Sequence, residues 1–159
     1  MMGASLRTFE GGPPLHEQDV GSFEKKHGLS LPGAYKAFLL ATNGGRPERD
    51  LLTNNGFKGG PVSRIHLFFG LNGPVESCNL DWNLEVFQQR LPANLVPIAT
   101  TEGTDKICLS VAGEREGAIF YWDGHAQPGE SNLYLLSPDF ASFVSALQSD
   151  ELSPGMRAS

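Results

Sequence analysis

At 159 residues, with 40% hydrophobic and 19% charged side chains, the chain has the size of one domain, which buries roughly 70% of its unfolded surface and needs no cofactor or disulfide to hold a core. Its net charge of −6, from 18 acidic and 12 basic residues, disfavours nonspecific nucleic-acid binding, because phosphates are held by Lys and Arg that displace their counterions. Cys78 and Cys108 lie far apart and outside any Cys-x-x-Cys or Cys/His cluster, which argues against a zinc site and for a reducing, cytoplasmic compartment.

Met1 to Phe9 carries no apolar signal-like region, and no later segment approaches the roughly 18 apolar residues of a membrane span. Residues 1–14 end in Gly11-Gly12-Pro13-Pro14, which continues neither helix nor strand and reads as a flexible lead-in. From Leu15 to His27 the sparse apolar residues Leu15, Val20 and Phe23 read as a surface helix stopped by Gly28 and interrupted by Gly21. Leu31 to Leu40 is the firmest helix, with Pro32 at a first-turn position and Tyr35, Phe38, Leu39 and Thr42 at helical spacing. Asn43-Gly44-Gly45 then tolerates positive φ and turns the chain.

Leu51-Leu52 reads as a loop or a poor edge strand, followed by breaks at Thr53 to Gly56 and Gly59-Gly60-Pro61. Val62 to Phe69 alternates as a strand with one wet face carrying His66. Leu80, Leu84, Phe87 and Leu91 then mark a third helix, with Asn79 or Asp81 as cap and Pro92 as terminator. The period now changes. Leu95 to Ile98 is a short strand whose Pro97 belongs at an edge or a strand's beginning. Lys106 to Val111 alternates, and Ala118 to Trp122 is apolar on both faces, as in a central strand. The connection Gly113 to Gly117 suits a hairpin loop. Leu133 to Leu136 is a further strand, and Ser137-Pro138-Asp139 starts a last helix with Ser137 as N-cap. Its stripe is Phe140, Phe143, Val144 and Leu147. This order is that of an α+β domain over residues 15–152, built on a mainly antiparallel sheet covered on one face, with a frayed tail at 153–159.

Charge is unevenly placed. Met1 to Thr101 holds nine acidic and nine basic residues, whereas Glu102 to Glu151 holds nine acidic residues against Lys106 and Arg115, a balance of −7. Such asymmetry describes either an acidic face that steers a basic partner or a solvated face with none.

No nucleophile elbow, phosphate loop, His-Glu-x-x-His or calcium-loop spacing occurs. The nearest approach to a metal constellation is Asp123-Gly124-His125 with Glu130. The alternative is a polar loop in which Asp123 satisfies backbone amides. Cys108 reads as a small core residue and His66 as a surface strand residue. Tyr121 and Trp122 read as interface anchors if exposed and as core if buried.

Three stretches together resemble the SUKH superfamily, the Smi/Knr-type proteins. One runs from Phe23-Glu24 and Gly28 through Leu31-Pro32, Tyr35 and Phe38-Leu39 to Asn43-Gly44-Gly45. Another is Ile65 to Gly70. The third is Pro97-Ile98-Ala99, Ile107-Cys108-Leu109-Ser110, Gly117 and Ile119 to Asp123. The turn Thr101 to Asp105 matches the family's glycine-rich acidic turn only at Gly103 and Asp105. The resemblance implies a sheet of about six strands flanked by about four helices, no enzymatic activity and no cofactor. It also implies neutralisation of a bacterial toxin domain, or regulation of a host protein by the same fold. Many such toxins are nucleases, whose basic surface an acidic inhibitor can occupy. The expected partner-binding residues are Glu102, Asp105, Glu114, Glu116 and Asp123, with Trp122 or Tyr121 as apolar anchor. A less favoured reading is a hydrolase using His125 and Asp123.

Overall fold

The computed structural model describes residues 6–52, 63–101, 105–125 and 132–149. The expected breaks between Thr53 and Pro61, the acidic Glu102 and Glu130, and the tail at 153–159 lie outside the described residues.

Helix α1, Glu17–His27, begins where the Asp19 carboxylate accepts the His16 N–H at 2.8 Å and ends at Gly28, whose φ of 66° is left-handed. It runs unbroken through Gly21 because Val20 and Phe23, both buried, anchor it. Helix α2, Gly33–Thr42, follows Pro32 and buries Tyr35, Phe38 and Leu39. As its stripe requires, it ends at Asn43 with φ 49°.

The N-terminal segment differs from the flexible lead-in expected. Thr8–Phe9 forms strand β1, which pairs antiparallel with β2, Arg46–Pro47. The glycine pair makes this approach possible: a Cβ on Gly45 would lie 2.6 Å from the Phe9 carbonyl oxygen, and one on Gly44 2.6 Å from that of Phe68.

The remaining strands are β3, Leu51–Leu52; β4, Ser63–Phe68; β5, Leu95–Thr101; β6, Lys106–Ser110; β7, Ile119–Trp122; and β8, Leu133–Ser137. They form one antiparallel sheet in sequence order from β3 to β8. Leu51–Leu52 is thus an edge strand, and its outer side is closed by an isolated bridge to Gln148. Pro97 stands inside a central strand rather than at an edge. Its tolerance is local: the register of β4 on β5 stops at Ala99, and a register shift separates Pro97 from Ala99 on the β6 side, so the missing N–H falls where pairing is broken.

Helix α3, Leu80–Phe87, lies between β4 and β5 in sequence and packs on β5; helix α4, Phe140–Ala146, follows β8. Ser137 does not cap α4, because it pairs with Ile119 in the ladder. Asp139 does so instead, its Oδ1 accepting the Ser142 N–H at 2.7 Å. The main core joins α1, α2 and α4 to Ile65, Ile107, Leu109, Ile119 and Tyr121 of the sheet. The opposite face of the sheet is not bare. Leu91, Leu95, Cys108 and Trp122 form a second, smaller cluster there, flanked by Phe87, Phe120 and Leu133.

Candidate protein-binding site

Alternation along β6 sends Ile107 and Leu109 into the main core and Lys106, Cys108 and Ser110 to the other face, and all five are buried. Neither face of the strand therefore offers a contact surface, and the polar groups able to meet a partner sit at its two ends.

At one end Asp105 precedes β6. Its Oδ1 accepts the Gly124 N–H at 2.8 Å and its Oδ2 accepts the Tyr121 hydroxyl, which also lies 3.2 Å from Ser63 Oγ. Asp123 follows β7 and its Oδ1 accepts the His125 N–H at 2.8 Å, an Asx turn. The His125 ring is 68% exposed and approaches Asp105 with Nδ1 at 3.5 Å from Oδ1. Asp105, Asp123 and His125 each bring a potential ligand atom within 4.8 Å of the others. Protein donors engage both Asp105 oxygens, so the sheet itself accounts for this geometry. Tyr121 is held protonated, burial first and the Asp105 carboxylate second pushing its pKa upward.

At the other end Glu114, Arg115 and Glu116 are exposed in the β6–β7 turn, whose Gly113 and Gly117 take φ of 87° and 94°. Four residue steps of β6 separate the two ends, about 13 Å at the usual strand rise, which exceeds the screening length of about 8 Å in physiological salt. The expected acidic set is thereby divided: Asp105 and Asp123 come together with His125, while Glu114 and Glu116 form a separate pair.

The apolar anchor requires correction. Trp122 is 2% exposed and Tyr121 4%. Trp122 packs edge-on against Phe87 at 5.8 Å, and the Arg90 guanidinium lies 4.8 Å from its ring centroid. Its indole is core of the second cluster, with Arg90 as its lid, and has almost no surface left for a partner. Lys106 is likewise drawn under, its Nζ 4.7 Å from the Phe87 centroid, and desolvation lowers its pKa. The stacking of Arg90 and Lys106 on aromatic rings escaped the sequence reading, although the alternation that places Lys106 beside Cys108 carried the signal for one of them. Cys108 is wholly buried, and burial pushes its thiol pKa up.

Residues 14–146, which include all six strands of the main sheet, match the SMI1 / KNR4 family (SUKH-1). The chain belongs to this family. It is also similar to the SPbeta prophage-derived uncharacterized protein YokK of Bacillus subtilis (strain 168), at 25% identity over 145 residues covering 82% of this chain and 73% of that protein. The α+β architecture that the SUKH likeness implies is the one observed. Among the described residues, no helix is long and apolar enough to cross a membrane.

Proposed function

We propose that this SUKH-1 chain is an immunity protein that binds a cognate toxin domain and neutralises it, with the Asp105–Asp123 corner as its first point of attraction. The observation that carries this reading is the fixed carboxylate pair at the rim of the sheet, beside the largely buried strands β6 and β7. Asp105 is held by Tyr121 and Gly124, and Asp123 by its turn with His125. Carboxylates already held in place lose little freedom when a cation meets them, and an excess of negative charge speeds encounter with a basic surface. The similarity to a protein of prophage origin supports the same reading. What favours protein binding over catalysis at this corner is that Tyr121 is kept protonated and both Asp105 oxygens already accept hydrogen bonds from the protein.

The test is co-expression with the product of a neighbouring toxin gene, followed by pulldown at low and high salt. Protection of the host and a complex that weakens as salt rises are expected. No protection and no complex would overturn the proposal, and capture of a host protein instead would favour a regulatory module of the same fold.

A further inference from the structure

The two edges of the main sheet are treated differently. Leu51 of β3 exchanges backbone hydrogen bonds with Gln148 at 2.8 and 3.1 Å, which closes that edge. No described residue pairs with the outer side of β8. Edge strands are ordinarily guarded by charge, proline or a covering segment. The β8 strand, Leu-Tyr-Leu-Leu-Ser, has no charged residue and no proline within it. The Asp123 N–H donates to Asn132 O at 2.8 Å, so by antiparallel alternation the backbone N–H and C=O of Leu133 and Leu135 turn away from β7, toward the open edge. Leu135 is 46% exposed and pairs with the half-buried Phe120. Leu133, two residues away on the same face, continues this strip into the second cluster.

The first residue of this edge adjoins the acidic corner: Leu133 pairs with Trp122, and Asp123 follows directly. We infer that β8 receives an extended segment of the toxin as a seventh, antiparallel strand, and this rests on the proposed function. Every pairing of the main sheet is antiparallel. The added strand would therefore bring its C-terminal end to Leu133, where a Lys or Arg meets Asp123 and Asp105. Its alternate apolar side chains would cover Leu135 and Phe120. Main-chain hydrogen bonds supply adhesion and the corner supplies register and charge selection. A second copy of this chain fits less well, since it carries the same net charge of −6.

The experiment uses the full chain labelled with nitrogen-15 and the probe acetyl-Thr-Val-Thr-Val-Thr-Lys-Lys-amide, titrated into the millimolar range. Amide shifts confined to Leu133–Ser137 and to Asp105, Asp123 and His125 are expected. Replacing the two lysines of the peptide by glutamates should weaken binding severalfold. Leu135→Pro removes an outward N–H and should weaken it by about tenfold or more; Leu135→Lys, on an exposed side chain, serves if the proline variant is misfolded. Absence of shifts on β8, or shifts that both Leu135 variants leave unchanged, would overturn the inference. So would concentration-dependent self-association lost in Leu135→Pro, which would assign the edge to a second copy. A toxin complex that survives both Leu135 variants would remove the edge and leave the proposed function standing. Peptide docking on β8 without any toxin complex would do the reverse.

Discussion

Asn43 and Leu71 exchange two hydrogen bonds: the Asn43 side-chain amide donates to the Leu71 carbonyl at 2.9 Å, and its Oδ1 accepts the Leu71 N–H at 2.7 Å. The same amide donates to Pro13 O at 2.7 Å, and the Asn43 carbonyl accepts the Gly12 N–H at 3.0 Å. One buried side chain thus joins the end of α2, the N-terminal segment and the loop after β4. Asn suits the position twice, since it tolerates the left-handed φ of 49° and carries both a donor and an acceptor. Asn43→Ala should cost about 2–4 kcal/mol, because it strands buried backbone groups and places Ala at positive φ. The cost is read as a lowered urea midpoint with unchanged slope. Asn43→Gly, which keeps the backbone freedom, should recover only part of it.

Tyr35 offers the opposite case. Its ring packs edge-on against Phe140, and its hydroxyl is buried with no hydrogen-bond partner among the described residues. Leaving a donor unsatisfied is costly, so Tyr35→Phe should be neutral or stabilising by about 1 kcal/mol at neutral pH, measured by thermal or urea unfolding. A loss of more than that amount would count against the absence of a partner.

Alkaline pH should destabilise this protein, and the sign follows from burial. Tyr35, Tyr121 and Cys108 all have pKa values raised by desolvation, from ordinary values of 10.0, 10.0 and 9.0. The unfolded chain therefore loses these protons first, and their contribution, complete below pH 9, drains away as pH rises through that range. Lys106, whose pKa is lowered, acts in the opposite direction below 10.5, but one group opposes three. Stability measured from pH 8 to 11 should fall, and Tyr35→Phe should flatten the decline.

How much of this was legible before the structure depended on length and pattern. Helices α1 to α4 and strands β4 and β6 carried enough residues to reveal a period, and β5, β7 and β8 showed as short apolar runs between turn signals. Strand β1, two residues long, carried none, and only tertiary pairing with Arg46–Pro47 reveals it. Trp122 was ambiguous because β7 is apolar on both faces; burial was decided by Phe87 and Arg90, distant in sequence. Whether the acidic residues share a face was not legible, for a geometric reason. A strand carries near neighbours in sequence apart, so Asp105 and Glu114 end on opposite sides of β6, while the hairpin brings Asp105 back to Asp123.

That division makes a kinetic prediction. Under the proposed function, Asp123→Asn should slow association with a cognate toxin severalfold at low salt and have little effect at high salt. A double change, Glu114→Gln with Glu116→Gln, should act independently, so that the effects of the two sets add. Stopped-flow rates at two ionic strengths check both. Strong non-additivity would place all these carboxylates in one contact.

The closure of the β3 edge bears on how the chain is made. Arg49 donates to the carbonyls of Val144 and Leu147, 95 and 98 residues further on, and Leu51 bridges to Gln148 just beyond. Synthesis delivers β3 long before these partners leave the ribosome. Throughout elongation the first edge of the sheet waits unpaired, with Leu51 and Leu52 available to any neighbouring nascent chain. Chains released prematurely, before residue 148, would keep that edge open for good.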